Sequence, residues 1–221
     1  MTRFFNVYQY LGPALLFPAS YYLWLKTLQD EHRLVWLVLS VPIVFAYVIP
    51  GLGTNYFKLW ELKTKIRLGR FRPHHGFVFG TAASLLAWIT LPAQSSGLVG
   101  LESIRAGFVL GSVLAFWNWL YDISAIRSGF IVVYTQASHE RLGPEAVATE
   151  YAPVLFGTFG FCYGLMIWLG RYELLQLGHH EKYWWFIVVG NLAGVVVPLL
   201  SFVLCSYLKR GVSGLTPYHG G

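Results

Sequence analysis

The chain has 221 residues, of which 56% are hydrophobic and only 12% are charged. A soluble domain carries about twice that share of charge, so the composition excludes an ordinary water-soluble globule and points to lipid as the solvent. The net charge of +6 suits an anionic membrane surface better than nucleic acid, because most of the cations flank apolar runs.

A bilayer core takes about 20 apolar residues per helix. Six stretches qualify: 5–25, 34–53, 77–98, 107–125, 152–170 and 183–208. The expected fold is therefore an all-α membrane protein, a six-transmembrane-helix bundle forming one polytopic domain over 1–221. The first run follows a single Arg and is too long and too aromatic for a signal peptide, which predicts a span that stays. Nine Trp and fourteen Tyr supply the rings that collect where acyl chains meet headgroups. Prolines fall within or at the ends of the runs, and kinks are expected near Pro18, Pro42 and Pro198, where neighbouring helices can satisfy the freed carbonyls.

Between the second and third runs, "NYFKLWELKTKIRLGRFRPHHG" (55–76) holds six bases against one acid, Glu61. Phe57, Trp60, Ile66 and Phe71 give it an apolar side, as in an interfacial helix lying on anionic lipid. The predicted partners are accordingly the bilayer itself, with anionic headgroups held by 58–72, and no nucleic acid.

Three consecutive runs carry Gly-x-x-x-Gly: "GFVLG" (107–111), "GFCYG" (160–164) and "GNLAG" (190–194). Glycines at that spacing let backbones approach closely, which in lipid replaces the hydrophobic drive. They predict close packing of spans four to six, or contact with a second copy of the chain in a homo-oligomer.

The end of the fourth run, "FWNWLYDISAIR" (116–127), places Asn118 and Asp122 in an apolar context. Gly107, Gly111, Ala115, Asn118 and Asp122 recur every three or four residues and so share one helix face. A face cannot contact another helix and lipid at once, so Asp122 is expected to turn into the bundle. An intramembrane acid in a bundle interior is by default a substrate, ion or proton site; the structural alternative is a helix-bridging or capping pair. Arg127 lies about 140° round the helix from Asp122 and is expected to snorkel towards phosphate.

A long loop, 128–153, then separates spans four and five. Phe130 to Thr135 is apolar enough for a re-entrant piece or a continued helix. Pro144 and Glu145 suit a new helix start, which brings Glu150 and Tyr151 to the depth of Asp122. Two carboxyls held close in an apolar pocket would divide into one acid and one base. The candidate catalytic residues are thus Asp122, Glu150, Asn118 and Tyr121. Trp117, Trp119, Arg127, His139 and Tyr151 are the candidate substrate-binding residues.

All seven histidines fall outside the six runs, so no axial pair for a transmembrane haem is expected. No metal site or cofactor is predicted. Cys162 and Cys205 lie within apolar runs and read as small packing residues. With the N-terminus inside, eleven Lys and Arg flank the cytoplasmic side and five the other. The positive-inside rule then places both termini in the cytoplasm.

These observations lead to an expectation of a small membrane enzyme of lipid metabolism. Its substrate would be lipophilic, such as an isoprenoid, and its chemistry an isomerisation or cyclisation by carboxylate acid–base steps. The alternatives are a carrier or substrate-binding membrane subunit, and a non-catalytic accessory or assembly subunit.

Overall fold

The computed structural model describes residues 2–91 and 99–218. Long helices dominate it: α1 (Thr2–Thr27), α2 (His32–Gly51), α3 (His75–Thr90), α4 (Val99–Arg127), α7 (Ala152–Gly170) and α8 (Tyr183–Arg210). Two short helices, α5 (Gln136–His139) and α6 (Pro144–Thr149), lie in the loop between α4 and α7. The C-terminal part of the third predicted span, with Pro92, lies outside the described residues, as does His219.

Local chemistry explains the helix ends. Gln29 and Asp30 take positive φ angles after α1, and the Glu31 side chain caps α2 by accepting from the Arg33 amide. Gly211, at φ 73°, ends α8 and donates its N–H to the Tyr207 carbonyl, the left-handed stop that glycine allows without a Cβ clash. Pro13, Pro18, Pro42 and Pro198 lie inside continuous helices.

Among the described residues, four segments are long and apolar enough to cross a membrane: His32–Tyr56, Val99–Arg127, Pro144–Gln176 and His180–Arg210. They make the chain a membrane protein. The first and third predicted spans differ from expectation. Helix α1 has 26 residues but falls short in hydropathy, since Asn6, Gln9 and the residues around Lys26 dilute its apolar content. The described part of α3 has 16 residues, about 24 Å at 1.5 Å per residue, less than a bilayer core of about 30 Å.

The basic segment departs further from the expected interfacial helix. Lys58 and Gly69 adopt positive φ, which breaks helical propagation. Trp60–Leu62 forms strand β1, which pairs antiparallel with β2 (Ile131–Val133) in the register Trp60↔Val133, Glu61↔Val132 and Leu62↔Ile131. The reason is a period of two. Trp60 and Leu62 turn inward while Glu61 and Lys63 turn out, and the β-branched Ile131-Val132-Val133 supplies a matching edge. Ile131–Val133 is accordingly a short strand and not an extension of α4, within a fold that, this strand pair apart, is all-helical.

Helices α4 and α7 are joined backbone to backbone. A Cβ at Gly111 would lie 2.7 Å from the Gly157 carbonyl oxygen, and one at Gly160 would lie 2.8 Å from the Gly111 Cα. Gly164 meets the Ala106 carbonyl in the same way. In α8 the motif packs against side chains instead, Gly190 on Met166 and Gly194 on Val41 and Phe159. Around this seam the core is aromatic and aliphatic. Phe45 stacks on Phe159 at 4.1 Å between centroids, and the fully buried Tyr163 donates its hydroxyl to the Val38 carbonyl at 2.9 Å. Outside, α8 presents Val188, Leu192, Val196, Leu200 and Leu204, an apolar surface that acyl chains can solvate.

Candidate functional site

The loss of helix at β1 and β2 creates the site. Their pairing lays Trp60, Leu62 and Ile131 across one end of the bundle, beneath which α2, α3, α4 and α7 enclose a cavity of about 230 Å³. Its walls are mostly apolar, including Phe45, Ile49, Val78, Leu114, Leu155 and Phe156. Trp117 is 54% exposed and also lines the cavity, connecting it to the outer surface beside α3.

Few polar groups converge on this space, and they come from distant parts of the chain. Asp122, 6% exposed, reaches it from α4. Its carboxyl accepts a hydrogen bond from the Tyr151 hydroxyl, which the start of α7 positions. One turn earlier, Asn118 also faces the cavity, while donating an amide hydrogen to the Leu114 carbonyl at 2.8 Å. Tyr121 packs edge-on against Phe5 at 5.2 Å, and its hydroxyl is buried with no hydrogen-bond partner. His75, the first residue of α3, lines the same cavity, and its Nε2 is likewise buried and unpartnered. Buried polar atoms are normally hydrogen-bonded, and two that are not line the same cavity as the buried carboxyl.

The structure brings together Asp122, Asn118, Tyr121, Trp117 and Tyr151, and it sets the other candidates apart. Glu150 does not approach Asp122. It accepts a hydrogen bond from Arg210 at 2.8 Å, because α6 runs directly into α7 and turns consecutive residues to different sides. Arg127 forms an ion pair with Glu145 on the exposed surface. Trp119 donates to the Thr149 hydroxyl at 2.9 Å. The ring of His139 meets that of Tyr218, 5.0 Å away. None of these four side chains lines the cavity.

His75, Tyr8 and Trp60 line it without having been singled out in the sequence. His75 stands two residues ahead of an apolar run and reads as loop. The available signal was that a helix can begin before its apolar stretch does. Tyr8 reaches the cavity because α1 packs beside α3, where Trp24 donates to the Ser84 carbonyl at 2.9 Å and the Ser20 and Ser84 hydroxyls meet at 2.6 Å.

Among the described residues no group of three or more His, Cys, Asp or Glu side chains is placed to hold a metal ion. Comparison with known protein families, with curated proteins and with solved structures finds no match to this chain.

Proposed function

We propose that the protein is a polytopic membrane enzyme with both termini in the cytoplasm, and that it moves protons on a lipophilic, unsaturated substrate of isoprenoid type. The observation that carries this reading is the convergence of a buried carboxyl and two unpartnered polar atoms, on His75 and Tyr121, upon one apolar cavity. A packing device would leave no open cavity beside the acid.

The volume bears on the substrate. An apolar cavity of about 150 Å³ holds benzene, so about 230 Å³ takes one reactive end of a larger molecule. The remainder would lie along the exposed side of Trp117 in the acyl region. In the proposed step Asp122, as the neutral acid, delivers its proton to one carbon of a carbon–carbon double bond. The positive charge that develops on the other carbon faces Trp60, Trp117, Tyr8 and Phe79, whose ring faces attract cations. His75 Nε2 accepts a different proton from a neighbouring carbon, and a new double bond forms there. The substrate is isomerised without gain or loss of electrons. Return of a proton from His75 to Asp122 through solvent or the ligand site completes the cycle. Tyr151 orients the carboxyl by its hydrogen bond, and Asn118 and Tyr121 offer polar contacts to the substrate.

The test is turnover in heavy water. Membranes containing the wild-type chain, supplied with polyprenyl lipids, should yield an isomer that carries carbon-bound deuterium. Asp122→Asn, which keeps shape and removes the transferable proton, should abolish that label while the protein still folds. General acid–base groups contribute about 10²–10⁴-fold to rate, which is the expected loss. Unlabelled lipids in the wild type, or equal labelling by the variant, would refute the reading.

A further inference from the structure

The outward side of β1 carries a second feature that the cavity does not use. Glu61 and Lys63 leave the strand on the side opposite Trp60 and Leu62. With Lys65, Arg67 and Arg72, and with Asn6 and Gln9 of α1, they line an open cleft of about 730 Å³. Four cations here face one carboxylate, and that carboxylate already accepts the Tyr134 hydroxyl at 3.0 Å.

Arg72 is the informative member. It is only 2% exposed, and three backbone carbonyls hold its guanidinium: Leu62 at 2.6 Å, Phe71 at 3.3 Å and Gly69 at 3.4 Å. Carbonyls satisfy hydrogens but do not cancel charge, and no described carboxylate lies within ion-pair distance of this side chain. Burial, and then the neighbouring Arg67, lower its pKa, which the more distant Glu61 carboxylate only partly offsets. Buried charges are normally paired. The surrounding loop is also fixed in place, since Leu68 bridges Phe71 and the Arg70 amide donates to the Asn55 side chain at 2.9 Å.

We propose that this cleft binds the phosphate of an anionic phospholipid. A lipid is favoured over free phosphate because Ile66 and Leu68, 54% and 70% exposed, alternate with Lys65 and Arg67. Cations interleaved with exposed aliphatic side chains match a headgroup with acyl chains beside it, whereas a soluble anion needs no apolar neighbours. Arg72 is the buried anchor, and the exposed Lys63, Lys65 and Arg67 supply the remaining charge. The site is independent of the proposed chemistry.

Native mass spectrometry of the full chain in detergent, titrated with phosphatidylglycerol or phosphatidylcholine, tests it. Phosphatidylglycerol should bind at least about tenfold more tightly, given the charge contributed by each cation near an anionic surface. Replacing three exposed cations together, Lys63→Gln, Lys65→Gln and Arg67→Gln, should weaken it on the order of 100-fold, from roughly fivefold per charge. These side chains are outside the core, so thermal unfolding should be unchanged. Arg72→Gln should also lose the lipid but unfold at lower temperature. Asp122→Asn should bind phosphatidylglycerol as the wild type does, separating this proposal from the catalytic one. Equal binding of the two lipids, or full binding by the triple variant, overturns the proposal. Saturation by inorganic phosphate without preference for phosphatidylglycerol also overturns it and assigns the cleft to a free anion.

Discussion

At the scale of single residues, two tyrosines on either side of Asp122 make opposite predictions. Tyr151 gives its hydroxyl to the Asp122 carboxyl, so Tyr151→Phe leaves a buried acceptor short of its donor and should cost about 1–3 kcal/mol. Tyr121 has a buried hydroxyl with no partner. Tyr121→Phe removes a polar atom that the fold does not satisfy, and it should be neutral or stabilising by up to about 1 kcal/mol. Thermal unfolding of the two variants in detergent measures both effects. If Tyr121→Phe is at least as stable as wild type yet slower in the labelling assay, its hydroxyl is retained for the ligand. Should Tyr121→Phe prove strongly destabilised, the hydroxyl has a structural partner and that part of the site fails. Of the residues singled out in sequence, those on the α4 stripe were placed correctly on one inward face by helix periodicity alone. Glu150 was not, because its direction depends on how the short α6 joins α7, which periodicity does not encode.

At the scale of elements, the α4–α7 seam is what holds Asp122 and Tyr151 opposite one another. Glycine is required there for want of space rather than for an unusual φ. Gly160→Val would drive a side chain into the backbone of Gly111 and Leu110. Overpacking costs typically about 1–3 kcal/mol, and the upper end is expected because backbone atoms cannot rotate away. Gly51 is the matched control, since a Cβ there would meet nothing within 4 Å and its φ of −58° suits any residue. Gly51→Ala should be neutral or gain up to about 1 kcal/mol from helix propensity. Unfolding curves that rank these two variants in the reverse order would remove the seam as the organising contact. The spacing of the glycines was legible in the chain, but their partners were not. Gly111 meets Gly157 and Gly160, whereas Gly190 and Gly194 meet side chains of α7 and α2.

For the molecule as a whole, the distribution of cations predicts that residues near His74 and near His179 lie on opposite sides of the membrane. Single cysteines placed beside each, in a chain whose Cys162 and Cys205 are replaced by alanine, should react with an impermeant thiol reagent from opposite faces. Reaction of both from one face would mean an even number of crossings between them, removing α3 as a span and overturning the six-span topology. The same test bears on α1 and α3, whose status as spans rests on charge and connectivity more than on hydropathy.

Composition and apolar run length were sufficient to identify a helical membrane protein, because the cost of exposing backbone to lipid leaves a helix as the simplest answer to a long apolar run. Period alone was also sufficient to turn Asp122 inward. Three things required the folded chain. The strand pair β1–β2 joins residues 60–62 to 131–133, an edge match across the whole of α3 and α4 that no local pattern reports. His75 shares a cavity with the acid only because α3 starts beside α4 under that strand pair. Glu150 was drawn away to Arg210, at the far end of the chain. Each is a long-range pairing. Local sequence sets the helix and its faces through hydrogen bonds four residues apart, while the choice of partner is settled by packing among segments that meet only in three dimensions.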